Sequence, residues 1–370
     1  MKIAMLTKHF NFRNGSSRSI HEVAIRLTAR SHEVHIFCNR RPDAYPRMPV
    51  LRHVSMLPMG SWARAFTFDR GCRRRIHAEP FDIVHGHGNT VEQDVVTVRI
   101  CRKANQLARG LSLSLWDPHL WMESRQLTNP RLKRIITLSE MVKQDLQRYY
   151  GIASGKIVTI PNGVDAVRFH PSLRPAHRNR VRTDLGLSDK DFAVLFVASG
   201  NFINRGLLNV FLMMKRRPLS RMKLVVAGGD RKGLFRIRAR EQGIEDRLIF
   251  LPFIERIEEL HSGMDALIFP SYYDTFGNVP LEAMASGLPV IVTAQCGVSE
   301  LITHGQDGLI LKHTEDLDGM AAALTALEDA DLRARIGREA RTTAERYSWD
   351  SVAERTLQVY TELIPAKRTT

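Results

Sequence analysis

Two carboxylates, Asp274 and Glu282, stand eight residues apart in the segment from Pro270 to Pro289, PSYYDTFGNVPLEAMASGLP. Asp274 precedes a Phe-Gly turn, and Glu282 falls about two helical turns further along, near the start of a helical stretch over Leu281–Ser286. Gly277 and Asn278 then lie at a helix N-terminus, where backbone N–H groups have no partner inside the helix and form a ready anion site. An anion held between two carboxylates that seek hydroxyls describes a phosphorylated sugar.

Such groups need a scaffold, and the hydrophobic patterning supplies one. Lys2–Thr7, Glu33–Cys38, Phe81–His85, Asp94–Ile100 and Arg134–Ser139 read as buried strands, with helices over Ser19–Arg30 and Glu140–Tyr149. After the strand Lys156–Ile160 the pattern restarts with Phe192–Ala198, Lys223–Ala227, Arg247–Leu251, Ala266–Phe269 and Pro289–Thr293. Strand–helix alternation of this kind builds parallel, doubly wound sheets, so the fold class is α/β with two Rossmann-like domains. The turn-rich stretch Pro161–Asp165 marks the seam, and the chain ends in helices over Leu317–Leu327, Asp331–Arg346 and Trp349–Leu363.

With 370 residues, 44% hydrophobic and 25% charged, the chain is long enough for two full cores. Its four cysteines, Cys38, Cys72, Cys101 and Cys296, are scattered without a CxxC pair, which argues for a reducing compartment and against a zinc site. No run approaches the ~20 apolar residues of a membrane span, and MKIAMLT reads as a first strand rather than a signal peptide, so a cytoplasmic protein is expected. The net charge of +15 is uneven: residues 1–180 carry 30 Lys+Arg against 13 Asp+Glu, whereas the remainder carries 24 against 26. A large anionic partner for the N-terminal half follows, either nucleic acid, an acidic membrane surface or a phosphorylated acceptor.

The block from Pro270 to Pro289 resembles the E-x7-E signature of retaining glycosyltransferases of family 4, with Asp274 in place of the first Glu. The resemblance implies the GT-B fold: two Rossmann-like domains facing a central cleft, spanning 1–165 (acceptor) and 166–346 (nucleotide-sugar), with a C-terminal helix, 347–370, crossing back. It implies a catalytic contact of Asp274 with the transferred sugar and of Glu282 with the ribose hydroxyls. Backbone at Phe276, Gly277 and Asn278 would meet the diphosphate, Gly200 and Gly228 would admit the donor closely, and Arg256 would border the base. Arg205 matches the basic residue that neutralises the leaving group, but its neighbour is Asn204 where a second cation is usual. No DxD lies in a loop after a hydrophobic strand, so no metal and no cofactor are expected, the nucleotide-sugar being a substrate.

On the acceptor side the family usually has adjacent glycines where this chain has Gly15-Ser16, flanked by Arg13 and Arg18. The stretch Phe81–Gly88 resembles the family's D-x-V-H-x-H strand end and makes His85 and His87 catalytic candidates, placed on opposite sheet faces so that one lines the cleft. Arg99 stands where many members carry a histidine near the reacting carbon. Gly60–His77 interleaves Trp62, Phe66 and Phe68 with arginines, which suits a peripheral membrane surface with anionic lipid, single-stranded nucleic acid, or a core helix with a basic outer face. The layout looks most like the lipopolysaccharide core glucosyltransferases. That implies UDP-glucose as donor, a phosphorylated core saccharide as acceptor and the inner face of the cytoplasmic membrane as location, with no nucleic-acid partner. Transfer from GDP-mannose or UDP-N-acetylhexosamine, nucleotide-sugar epimerisation, and non-catalytic binding of nucleotide-sugar or nucleic acid remain open as alternatives.

Overall fold

The computed structural model describes residues 1–11, 15–40, 49–58, 60–88, 90–114, 116–217, 219, 221–229 and 232–364. It divides into two compact units, Met1–Gly163 with the chain from Trp349 onward, and Val164–Ser348. Unit 1 runs β1 (Lys2–Leu6), α1 (Gly15–Ala29), β2 (Glu33–Cys38), β3 (Val50–His53), α2 (Ser61–Ala78), β4 (Ile83–Gly86), β5 (Val95–Thr97), α3 (Arg102–Ala108), α4 (Pro118–Leu127), β6 (Arg134–Thr137), α5 (Glu140–Tyr150) and β7 (Ile157–Thr159). Unit 2 runs α6 (Leu173–Asp184), β8 (Phe192–Ala198), α7 (Leu207–Arg216), β9 (Met222–Gly228), α8 (Lys232–Glu241), β10 (Leu248–Leu251), α9 (Ile257–Gly263), β11 (Ala266–Phe269), α10 (Asn278–Ala285), β12 (Val290–Thr293), β13 (Leu309–Leu311), α11 (Leu317–Ala326) and α12 (Ala330–Ala344).

All strand pairs in the two sheets are parallel. The order is β3-β2-β1-β4-β5-β6-β7 in unit 1 and β10-β9-β8-β11-β12-β13 in unit 2. Most central strands are near-continuous apolar runs buried along their length, as a parallel sheet covered on both faces requires. The order reverses at β1/β4 in unit 1 and at β8/β11 in unit 2. Beyond the carboxyl ends of the strands flanking such a reversal, neighbouring loops part and leave a crevice for ligand.

The last helix, α13 (Trp349–Leu363), belongs to unit 1. Trp349, Val352, Val359 and Tyr360 form an i, i+3, i+10, i+11 stripe that joins Ile20, Val23 and Leu27 of α1 in one core. Arg26 adds an ion pair to Asp350 at 3.0 Å. All four cysteines are buried free thiols. No helix among the described residues is long and apolar enough to cross a membrane.

Candidate functional site

In unit 2 the loops leaving β8 and β11 flank the reversal, and they carry Arg205 and Asp274. The Arg205 guanidinium donates to the Asp274 carboxylate and, at 3.1 Å, to Ser271 Oγ, while lying over the Phe269 ring. Gly206 makes this possible. It has φ of +80° at the start of α7, and a Cβ there would come within 2.1 Å of the Pro270 carbonyl, so only glycine lets the two loops meet. Asp274 is fixed from its own side too, since Oδ1 accepts the Phe276 N–H at 3.0 Å and its backbone bridges to Gln295 and Gly297. The remaining Arg205 N–H groups have no protein partner among the described residues, and the side chain is 30% exposed. A cation with part of its donor fork engaged and the rest open is set to grip an anion.

The N-terminus of α10 has no side-chain cap and lies directly after Asp274. Gly277 takes φ of +98°, where a Cβ would meet Cys296 Sγ at 2.7 Å. Glu282 is half-buried in the second turn of α10. The far end of that helix is anchored by Ser286, whose hydroxyl bonds the His261 ring at 2.9 Å. Burial first, and the nearby Arg168 charge second, lower the pKa of His261 from 6.5 to about 3. A depressed histidine contributes stability that is full above about pH 6.5 and is lost as pH falls toward 3. Between pH 7 and pH 5 the wild type is therefore expected to lose roughly 2 kcal/mol more than His261→Gln, read from denaturant unfolding at both pH values. Parallel pH profiles of the two proteins would contradict the neutral, buried imidazole.

Several expectations for unit 2 need correction. The Phe276 N–H is engaged by Asp274 and its ring is core, so it shapes the loop rather than meeting a diphosphate. Gly228, with φ of +145°, is required by the Ala198 carbonyl of the neighbouring strand, 1.8 Å from where a Cβ would sit. That is a packing need inside the sheet. Gly200 has open space around it. Arg256 starts α9 well exposed and pairs with Glu259 at 2.6 Å. Asn204 gives its carbonyl to the Tyr272 N–H and Ser271 Oγ, while its side-chain Oδ1 is buried with no partner.

In unit 1, residues two apart in a strand share a face, and His85 and His87 do so with ring centroids 4.1 Å apart. The expectation of opposite faces is thus overturned. His85 is fully engaged, Nδ1 with Tyr360 of α13 at 2.6 Å and Nε2 with Thr97 of β5 at 2.8 Å. Burial and then Arg99 lower its pKa to about 3, so it is a neutral core residue with no nitrogen left for substrate. Arg99 lies past β5 and donates to Ser19 of α1 and to His87 Nδ1. Since guanidinium only donates, His87 Nδ1 is the acceptor and the ring proton sits on Nε2, which has no protein partner. Arg99 thereby becomes a residue that orients His87 rather than one placed to react itself.

His87 and Arg99 line a pocket of about 100 Å³ together with Thr97, Arg102, His119 and Glu123. Glu123 escaped the sequence reading because nothing about ESRQ in α4 signals chemistry. Burial raises its carboxyl to about 6 against the pull of Tyr150 OH and Arg102, and it accepts the Arg102 N–H at 3.0 Å. Gly15 and Ser16 are exposed in the first turn of α1, with Arg18 half-buried beside them. Arg13 lies outside the described residues.

Two family models divide the chain between them. Glycosyltransferase Family 4 matches residues 13–168, and Glycosyl transferases group 1 matches residues 178–343, one on each sheet. Between them they cover both halves of the chain, which has the GT-B fold. An uncharacterized glycosyltransferase of Methanocaldococcus jannaschii is 29% identical over 61% of the chain and 59% of its own length. The D-inositol 3-phosphate glycosyltransferase of Gordonia bronchialis is 28% identical over 94% of the chain and 83% of its own. The chain spans only 52% of the corresponding Nocardia farcinica protein. Among solved structures, WaaG, a glycosyltransferase involved in lipopolysaccharide biosynthesis, superposes with TM-score 0.85 at 22% identity, covering 97% of this chain and 99% of that one. Anabaena Alr3699/HepE in complex with UDP and glucose gives 0.76 at 17% identity, covering 98% and 99%. Both structural likenesses are of fold.

Proposed function

We propose that this glycosyltransferase moves a hexose from a nucleotide-sugar, UDP-glucose, to an anionic cell-envelope saccharide such as lipopolysaccharide core, with retention and without a bound metal. The observation that carries the reading is Arg205, held by Asp274 and Ser271 at the β8/β11 reversal with part of its donor fork open. In the proposed reaction the bond between the sugar's anomeric carbon and the β-phosphate oxygen breaks. An acceptor hydroxyl forms the new bond on the same face, and its proton passes to the departing phosphate. Arg205 and the N-terminus of α10, near Gly277 and Asn278, stabilise the charge that develops on that phosphate. Asp274 holds a hydroxyl of the transferred sugar, and Glu282 holds the ribose. The UDP and glucose of the HepE complex and the WaaG likeness support the choice of donor and acceptor.

Unit 1 is assigned the acceptor, with His87 Nε2–H as a donor to one of its hydroxyls. Its outer surface also fits an anionic bilayer at the cytoplasmic face. Trp62 and Phe66 stack on the exposed side of α2 in line with Arg70 and Arg74, while Phe68 and Cys72 fill the core behind. Trp116 is 91% exposed nearby in sequence to the half-exposed Trp121. Such interleaving of indole and guanidinium matches the interfacial zone of anionic lipid.

Glu282→Ala is expected to weaken UDP binding by roughly 10- to 100-fold, the worth of a charge-assisted hydrogen-bond pair. Unchanged affinity by calorimetry would remove Glu282 from the ribose. The reading as a whole is tested by UDP release from a panel of nucleotide-sugars, with and without delipidated core saccharide, followed by NMR of the product's anomeric configuration. Acceptor-dependent release from UDP-glucose with retention supports it. Release independent of any acceptor, or an inverted product, sinks it.

A further inference from the structure

Lys8 follows β1 at the reversal of the unit 1 sheet, Arg64 lies in the first turn of α2, Arg102 opens α3, and His119 sits in the first turn of α4. The starts of α2 and α4 are tied together, and the second turn of α3 is tied to them. Ser61 of α2 bonds His119 Nε2 at 2.7 Å, and Gln106 of α3 donates to Asp117, the cap of α4, at 2.9 Å. Helix N-termini carry partial positive charge, so this end of the unit concentrates cations where the backbone is already positive.

The local carboxylates, Glu123 beside Arg102 and Asp117 beside His119, balance it only in part. Asp117 accepts the His119 N–H at 2.8 Å and the Gln106 amide, and Glu123 accepts the Arg102 backbone N–H and the Tyr150 hydroxyl. Glu123 shares the pocket and attracts Arg102, but among the described residues no carboxylate makes an ion pair with the Lys8, Arg64 or Arg102 side chains. The mutual repulsion is felt. Lys8 is held below its ordinary value by burial and then by Arg64 and Arg102, and His119 by burial and then by Arg102. His119 Nδ1 is buried without a partner, and both Arg102 and His119 line the 100 Å³ pocket, room for several waters or one compact anion. Cations that outnumber their counter-charges at a ligand-binding edge are stabilised when a further anion joins them.

We propose that Lys8, Arg64, Arg102 and His119 form a phosphomonoester subsite in unit 1, which selects acceptors that carry a phosphate. The role in selecting an acceptor rests on the transferase reading above; the anion site itself does not. The phosphate is supplied either by a soluble sugar phosphate or by a lipid headgroup.

The test uses the full chain and inorganic phosphate, followed through the imidazole NMR signal of His119, assigned by its loss in His119→Asn. A saturable shift toward the protonated position at constant ionic strength is expected, with at least tenfold weaker binding in Arg64→Gln/Arg102→Gln. Should that double variant fail to fold, Lys8→Gln is expected to weaken binding in the same direction. An identical response to chloride, or undiminished binding in these variants, overturns the subsite. Competition by glucose 6-phosphate points to a soluble acceptor, and competition only by phosphatidic acid vesicles in phosphatidylcholine points to a lipid one. UDP calorimetry on the same samples separates the two ideas. UDP binding without a phosphate response sinks the subsite and leaves the transferase reading, whereas a phosphate response without UDP binding or turnover does the reverse.

Discussion

Arg205→Ala is expected to lower kcat by roughly 100- to 1,000-fold, the range found when one preorganised donor to a developing oxyanion is removed. The same change should cost about 1 kcal/mol or less in stability, because the Arg205–Asp274 pair is partly exposed and solvent screens it. Asp274 keeps its bond from the Phe276 N–H in the variant, so the loop retains an internal anchor. A large loss of rate with an unchanged melting curve is therefore the signature of a group acting on the leaving phosphate. Arg205→Lys separates charge from geometry. It restores the cation but not the planar fork that spans Ser271, Asp274 and ligand, so partial recovery is expected. Steady-state turnover within about threefold of wild type in the alanine variant would remove Arg205 from the chemistry.

Asp265→Ala should be the most damaging substitution for folding, at about 3–5 kcal/mol. Asp265 precedes β11 and meets three guanidinium groups of α6, Arg174 at 3.3 Å, Arg178 at 3.0 Å and Arg182 at 3.2 Å. The spacing of four places all three on one face of the helix. Its Oδ2 also accepts the Ala193 N–H of β8 at 2.9 Å, which ties α6 to the centre of the sheet. Burial pushes its carboxyl up, but the Ala193 N–H and the charges of Arg178, Arg182 and Arg333 outweigh this and hold it below the ordinary value. Removing it leaves the buried Arg182 without its counter-charge. Denaturant unfolding of unit 2 measures the effect, and a loss under about 1 kcal/mol would mean that the arginines find other acceptors.

The parts of the fold that were legible in the chain are those with long, fully apolar runs or a clear helical stripe. The strands Glu33–Cys38, Phe192–Ala198 and Ala266–Phe269 and the helix Trp349–Leu363 have the same bounds in sequence reading and structure. Of the four edge strands, two were not legible. Val50–His53 is half-exposed and Leu309–Leu311 only three residues long, so neither leaves a pattern that local reading detects. The strand expected over Asp94–Ile100 shortens to Val95–Thr97, which puts Arg99 in a loop, free to turn toward Ser19 and His87.

By itself the sequence determined the two parallel α/β sheets and the residue types at the ends of their strands, because burial on both faces demands apolar strands and ligand-facing turns demand glycine, carboxylate and arginine. Which of those residues are open to a ligand was decided only by tertiary structure. His85 and His87 are chemically alike and two positions apart, yet Tyr360, 275 residues away in sequence, engages one and leaves the Nε2 of the other without a protein partner. Likewise Lys8, Arg64, Arg102 and His119 are unremarkable along the chain and come within reach of one another's charge only in the folded unit. Hydrogen bonds and charges act through space over a few ångströms, and local sequence carries no record of which distant side chains will arrive there.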